Sequence, residues 1–89
     1  METTEIYTQV VTVIKPYIKK EGALLTISND SKILEDLGVN SARLVDIVLD
    51  FEDKFGIQVE DEAVDGITTI GDAVQLIGRK LAHTSGSPA

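Results

Sequence analysis

Residues 38–56 read GVNSARLVDIVLDFEDKFG and carry the clearest helical pattern of the chain. Its apolar side chains recur at intervals of three and four residues, while aspartates occupy another face. Asn40 is placed to cap the first turn, and Gly56 can adopt the left-handed conformation that ends a helix. The stretch therefore predicts an amphipathic helix whose first residue is Ser41 and whose apolar face is formed by Leu44, Ile47, Val48, Phe51 and Phe55.

Ser41 stands where a helix favours negative charge. The first turn of a helix leaves backbone N–H groups without intrahelical partners, and the helix dipole adds partial positive charge there. Both effects would stabilise a phosphodiester on the Ser41 hydroxyl. Most serines at helix starts serve only as caps, so this position alone does not establish an attachment site.

A first helix is expected near the N-terminus. An apolar face over residues 6–17 predicts a helix from about residue 4 to 19, with Thr3 or Thr4 as its N-cap. Pro16 interrupts this pattern, because proline lacks an N–H and crowds the preceding turn. The helix must therefore either kink before Pro16 or finish in an irregular turn.

The connection over residues 21–37 is long for a segment without regular structure. A short turn of helix is expected over residues 32–36. Six apolar side chains are expected to pin the connection against the helices, namely Leu24, Leu25, Ile27, Ile33, Leu34 and Leu37.

The C-terminal half predicts two further helices. Residues 61–65 are expected to form one or two turns, and the run TIGD at residues 69–72 resembles a capping box that starts a last helix. The helical domain is expected to span residues 1–82. The remaining stretch, HTSGSPA at residues 83–89, is expected to be a disordered tail.

The ordered blocks around Ser41 resemble one protein family. Residues 37–42 read LGVNSA, residues 51–57 read FEDKFGI, and residues 67–74 read ITTIGDAV. This order is similar to that of the acyl carrier proteins, in their stand-alone type II form, over residues 5–81. The resemblance implies an all-α fold, a four-helix bundle of three longer helices and one short helix. It also implies that 4′-phosphopantetheine is attached to Ser41, and that the protein carries acyl groups as thioesters without a catalytic site of its own.

The resemblance also implies a partner-binding face on the helix that starts at Ser41. The expected partners are a phosphopantetheinyl transferase and acyl-loading, elongating or transferring enzymes with basic surfaces. The partner-binding residues would be Asn40, Ala42, Arg43, Val45, Asp46, Leu49, Asp50 and Asp53. The resemblance implies an acyl sheath formed by side chains that the core requires in any case, namely Leu44, Val48, Phe51, Ile67 and Val74.

Two positions beside Ser41 depart from the family pattern. Asn40 stands where the family usually has aspartate and Ala42 where it usually has leucine, which removes one negative charge and one exposed apolar side chain. Arg43 and Lys54 also interrupt the acidic face. These departures predict a specialised carrier in a dedicated pathway for fatty acids, lipids or natural products. Aminoacyl, peptidyl or polyketide cargo is an alternative, as is a helical protein-interaction module without a cofactor.

Composition excludes several other classes of function. The chain has 89 residues and a net charge of −7, without the clustered basic residues that bind nucleic acid. It has no cysteine, and its one histidine, His83, lies in the predicted tail, so neither a metal site nor a histidine-based catalytic site is expected. No segment resembles a targeting peptide or a membrane span. The sequence therefore predicts a monomeric cytoplasmic protein without membrane insertion.

Overall fold

The computed structural model describes residues 2–85, with side chains through Ala82. Its helices are α1 (Thr3–Ile14), α2 (Ser41–Phe55), α3 (Asp61–Asp65) and α4 (Ile70–Ser85), and two 3₁₀ turns lie at Lys15–Tyr17 and Ala23–Leu25. The described residues form no strand, and an isolated bridge joins Lys32 to Thr69. The predicted all-α bundle of three longer helices and one short helix is confirmed.

The core lies between α1, α2 and α4. Each helix turns one apolar stripe inward, as the helical period requires. Phe51 is the largest fully buried side chain of the described residues, and its ring centroid lies 6.3 Å from that of Phe55. The buried residues of the three helices are Ile6, Val10 and Ile14 of α1, Leu44, Ile47, Val48 and Phe51 of α2, and Ile70, Ala73, Val74, Leu76 and Ile77 of α4.

Both ends of α1 depart from a regular helix. The helix already includes Thr3, so Glu2 holds the N-cap position, and its side chain makes no capping hydrogen bond. The predicted threonine cap is therefore wrong. At the other end α1 stops at Ile14, and Pro16 lies in the 3₁₀ turn that follows. The irregular last turn is confirmed, because proline has no N–H with which to continue the α-helical hydrogen bonds.

Backbone hydrogen bonds hold the connection between α1 and α2. Three of them, of 2.8–3.0 Å, join residues 29–33 to residues 68–71 at the start of α4. The Asp36 and Leu37 N–H groups both donate to the Lys32 carbonyl, at 2.8 and 3.2 Å, and the Asp36 carboxylate accepts the Lys32 N–H at 2.8 Å. The helical turn predicted here is therefore a side-chain-stabilised turn, because the Asp36 carboxylate binds the backbone of Lys32 and closes the loop.

Apolar side chains hold the connection less than predicted. Ile33 and Leu37 are buried and Ile27 is partly buried, as expected. The prediction is wrong for the other three, which are exposed by 40% for Leu24, 90% for Leu25 and 38% for Leu34. In the 3₁₀ turn Ala23–Leu25 the small Ala23 side chain is the buried one, so Leu24 and Leu25 are left at the surface.

α4 begins with the predicted capping box. The Asp72 N–H donates to Thr69 Oγ1 at 3.1 Å, and the Asp72 carboxylate accepts the Thr69 and Thr68 N–H groups, each at 3.0 Å. These backbone donors, Thr69 first, hold the pKa of Asp72 below its ordinary value. α4 extends through Ser85, three residues past the predicted end of the domain, and residues 86–89 of the predicted tail lie outside the described part.

Candidate functional site

Ser41 is the first residue of α2, and Asn40 caps the helix, both as predicted. The Asn40 backbone is extended, with φ −69° and ψ 137°. Its Oδ1 accepts the Ala42 N–H at 2.9 Å, and its carbonyl accepts the Arg43 N–H at 2.8 Å. Gly38 turns the chain into the cap with φ 70°, and a Cβ there would lie 3.1 Å from a backbone nitrogen of the preceding loop. The entry into α2 therefore requires glycine.

The helix start leaves a donor for an anion on Ser41. Asn40 accepts the N–H groups of Ala42 and Arg43, but the Ser41 N–H has no acceptor within residues 2–85. The sequence predicts several backbone N–H groups without partners at this helix start, and the Asn40 cap binds two of them. The partial positive charge of the helix dipole remains at this end.

The described serines before Ser41 lie in a different setting. Ser31 is only 8% exposed, and its Oγ accepts the Ser28 N–H at 2.9 Å. The Ser28 Oγ accepts the Asp30 N–H at 3.3 Å. Both hydroxyls stabilise the loop, whereas the side chain of Ser41 is exposed at a helix start.

An open cleft of about 520 Å³ lies beside Ser41. We call it the Ser41 cleft. Its apolar lining consists of Leu34, Leu44, Val45, Val64 and Ile67. Its polar lining consists of Lys32, Glu35, Ser41, Asp65 and Thr68. The fold thus brings the turn before α2, the first turns of α2, and α3 together around a cleft of mixed polarity that opens at the serine.

The Ser41 cleft contains only part of the predicted acyl sheath. Leu44 and Ile67 line it, as expected. Val48, Phe51 and Val74 do not, and they are 4%, 1% and 4% exposed. Because these three side chains are packed between the helices, the structure assigns them to the core.

The outward face of α2 carries two large apolar side chains. Val45 and Leu49 are each 54% exposed. Asn40 and Ala42 are exposed at the end nearest Ser41. Half-exposed apolar residues in one helical row are the kind of surface that a protein partner covers.

Two of the three aspartates predicted to bind partners have partners within the chain. Asp46 forms an ion pair with Arg43, with 3.1 Å between Oδ2 and the guanidinium nitrogen. Asp50 accepts a 2.7 Å hydrogen bond from the Tyr17 hydroxyl, and this bond raises the pKa of Tyr17 above its ordinary value. Among the described residues Asp53 has no such partner. Uncompensated negative charge on this face therefore lies toward the C-terminal half of α2.

Comparisons with known proteins agree with this geometry. Residues 10–77 match the family model described as the phosphopantetheine attachment site. An acyl carrier protein from Thermotoga maritima is 38% identical over 77 residues, which cover 86% of this chain and 93% of that protein. One from Prochlorococcus marinus is 35% identical over 80 residues, which cover 90% and 98%. The chain belongs to the acyl carrier protein family.

A solved structure supports the same assignment. The crystal structure of an acyl carrier protein from Thermotoga maritima superposes with a TM-score of 0.76 at 27% identity, over 94% of this chain and 95% of that one. Acyl carrier proteins are carriers rather than enzymes, and their attachment domain takes phosphopantetheine. Within residues 2–85 of this carrier, no helix is both long and apolar enough to cross a membrane.

Sequence reasoning missed several residues that shape the site of this carrier. Val64 could have been found, since it is an apolar residue in a short helix just before Ile67. The hydrogen bond from Tyr17 to Asp50 leaves no sequence signal, because 33 residues separate the two side chains. The same is true of the ion pair that joins α3 to α4, which is described below.

Proposed function

We propose that Ser41 carries the 4′-phosphopantetheine arm, and that this carrier delivers acyl thioesters to separate biosynthetic enzymes. The observation that supports this proposal is an exposed serine at the start of α2, on the edge of the Ser41 cleft. Ser28 and Ser31 lie in the loop before α2 rather than at a helix start, and neither of them lines the Ser41 cleft. Ser41 lies within the matched residues 10–77, and its position at the start of α2 supports the proposal.

The residues around Ser41 fit such an arm chemically. The Ser41 N–H and the dipole of α2 would stabilise a phosphodiester on Ser41 Oγ. Asp65 and Thr68 offer hydrogen-bonding groups for amides, while Leu44 and Ile67 offer apolar surface. When bound, the arm supplies the thiol that holds the acyl group as a thioester.

Partner enzymes, including a phosphopantetheinyl transferase, would dock on the outward face of α2. Val45 and Leu49 offer apolar area, and Asp53 offers a negative charge to a basic surface. The ion pair between Arg43 and Asp46 lowers the negative potential near Ser41. A basic partner surface is therefore expected opposite the C-terminal half of α2 rather than opposite its start.

The exposed residues beside Ser41 favour a dedicated pathway. Ala42 offers little apolar area to an enzyme that buries leucine at this position, and Asn40 offers no charge. We infer that the carrier serves a specialised fatty-acid, lipid or related pathway in the cytoplasm. Aminoacyl, peptidyl or polyketide cargo would require other loading enzymes, so the loading substrate distinguishes these classes.

Intact mass spectrometry tests the attachment site. Apo protein incubated with coenzyme A and a phosphopantetheinyl transferase should gain the mass of one arm, and Ser41→Ala should gain none. Ser28→Ala is the matched control, because it removes another exposed serine and should be loaded like the wild type. Circular dichroism should show the same helical content in all three proteins. Full modification of Ser41→Ala would overturn the assignment.

A further inference from the structure

α3 forms one wall of the Ser41 cleft, and it has little to hold it in place. The helix contains only five residues, Asp61–Asp65, which is far too few for a stable helix in isolation. None of its residues is buried, and its apolar pair, Ala63 and Val64, is only partly covered. Val64 and Asp65 face the cleft. The position of this wall therefore depends on contacts made at the ends of α3.

Two carboxylates anchor the chain just before α3. The Glu52 side chain, on α2, accepts the Val59 N–H at 2.7 Å. Both oxygens of Glu60 accept from the Lys80 ammonium on α4, at 2.8 and 2.9 Å. One anchor therefore ties this segment to α2 and the other ties it to α4.

The Glu60 side chain binds a residue of α4 instead of capping α3. Glu60 occupies the N-cap position of α3, but its carboxylate makes no capping hydrogen bond. Its backbone carbonyl accepts the Ala63 and Val64 N–H groups, while its carboxylate reaches across to α4. The residue that starts α3 is thus also the residue that fastens it to the bundle.

The Lys80–Glu60 ion pair differs from two local ion pairs of the described residues. Lys32–Glu35 and Arg43–Asp46 each join residues three apart within one segment, so they stabilise only local structure. Lys80–Glu60 spans 20 residues and joins two helices, and the Lys80 side chain is only 28% exposed. Its loss would therefore change how two elements sit against each other.

We propose that Glu60 and Lys80 are positioning residues that hold α3 over the Ser41 cleft and so protect the cargo thioester from attack. We call this pair the α3 latch. Its release lets α3 move away from α4 and opens the wall that Val64 and Asp65 provide. The proposal rests on attachment of the arm at Ser41.

Thioester reactivity tests the α3 latch. Wild type, Glu60→Gln and the charge swap Glu60→Lys with Lys80→Glu are loaded with an octanoyl or an acetyl arm from the matching coenzyme A ester. Hydroxylamine then attacks the thioester carbonyl, the carbon–sulfur bond breaks, and the arm leaves as a protonated thiol. Mass spectrometry follows the loss of the acyl group. Glu62→Gln is the matched control, because it makes the same substitution two residues away at an exposed side chain that forms no ion pair among the described residues.

Glu60→Gln should release the octanoyl group about two- to five-fold faster than the wild type, as expected for loss of one partly exposed ion pair. The charge swap should restore the slower rate, and Glu62→Gln should match the wild type. The acetyl group is too short to extend along the cleft, so its release should be equal in all variants. Equal octanoyl release from wild type and Glu60→Gln would overturn the proposal.

Amide hydrogen exchange on the unloaded proteins separates this proposal from the attachment site. Exchange in residues 59–66 should be faster in Glu60→Gln than in wild type, with no change in α1. If Ser41 cannot be loaded, the proposed attachment fails, and the exchange data still decide whether the latch holds α3. Unchanged exchange in residues 59–66 would show that Glu60 and Lys80 do not hold the helix.

Discussion

Asn40 sets the start of α2 through one side-chain oxygen, which accepts the Ala42 N–H at 2.9 Å. Asn40→Ala should lower the free energy of unfolding by about 0.5–2 kcal/mol, since alanine cannot cap. Asn40→Asp should change it by less than about 0.5 kcal/mol, because aspartate offers the same acceptor. Urea denaturation measures both changes. Equal stability of Asn40→Ala and wild type would mean that the core alone sets this helix end.

Ala42 is the residue beside Ser41 whose size bears most on partner choice. Ala42→Leu adds apolar area worth about 1–2 kcal/mol if a partner buries it fully, whereas Asn40→Asp adds an exposed charge worth about 0.2–1 kcal/mol. We expect Ala42→Leu to improve loading by general fatty-acid-synthesis enzymes more than Asn40→Asp does. Loading rates of wild type, both single variants and the double variant measure this. Equal rates for all four would show that these positions do not mark a dedicated carrier.

Two glycines of α4 should respond oppositely to alanine. A Cβ on Gly71 would lie 3.0 Å from the Asn29 carbonyl oxygen, which already accepts the Gly71 N–H at 2.8 Å. A Cβ on Gly78 would lie 3.7 Å from Ile6 Cδ1, an ordinary contact. Gly71→Ala should therefore destabilise the protein by about 1–3 kcal/mol, because the loop must shift. Gly78→Ala should stabilise it by about 0.4–1 kcal/mol, because alanine restricts the unfolded chain.

Chemical denaturation of the two alanine variants gives the comparison directly. Both changes improve helix propensity, so a difference in sign isolates the contact between α4 and the loop. If Gly71→Ala stabilised the protein, the loop at residues 29–33 would have to shift away from α4 without lowering the free energy of unfolding.

The acidic face of α2 should act mainly through Asp53. Asp53→Lys should slow association with enzymes that dock on α2 and leave thermal stability nearly unchanged, because this carboxylate has no partner in the described chain. Asp50→Lys should slow association as well, and unlike Asp53→Lys it should lower the melting temperature, because it removes the acceptor for the Tyr17 hydroxyl. Stopped-flow binding at two salt concentrations, with thermal melting, distinguishes the two. If the association rate changed neither with salt concentration nor with Asp53→Lys, the charge on Asp53 would have no role in docking.

The pH dependence of unfolding belongs to the whole molecule, because three hydrogen-bonded groups in different elements contribute. The pKa of Asp72 lies below its ordinary value of 3.8 and that of Glu60 below 4.5, the latter chiefly because of Lys80. Stabilisation from these lowered pKa values is present above the ordinary values and is lost as the pH falls through the folded-state values. The pKa of Tyr17 lies above 10.0, so its contribution is present below pH 10.0 and is lost as the pH rises through the folded-state value.

Stability measured by urea denaturation across pH should therefore fall at both extremes. Asp72→Ala should weaken the acid dependence, and Tyr17→Phe should weaken the alkaline dependence. A Tyr17→Phe profile that matches wild type above pH 10.0 would show that the hydrogen bond to Asp50 does not couple tyrosine ionisation to folding.

Local signals in the sequence predict several helix ends correctly. The Asn40 cap, the left-handed Gly56 with φ 66°, the break at Pro16 and the capping box at residues 69–72 are all found as predicted. Each acts on backbone atoms within about one helical turn, so the residue and its immediate neighbours carry the information. The place of Ser41 at a helix start could be predicted for the same reason, whereas its proposed role as attachment site rests on the family resemblance.

Tertiary structure alone decided which side chains meet and which apolar residues are covered. The helical period of α2 predicts which face is buried, but only the packing decided that buried Leu44 also lines the Ser41 cleft while Val48 does not. The pairing of Glu60 with Lys80 depends on how α3 and α4 lie against each other, across 20 residues. The helical repeat predicts on which side of a helix a residue lies. Whether that residue is buried, and which side chain it contacts, depends on the other helices and loops packed against that side.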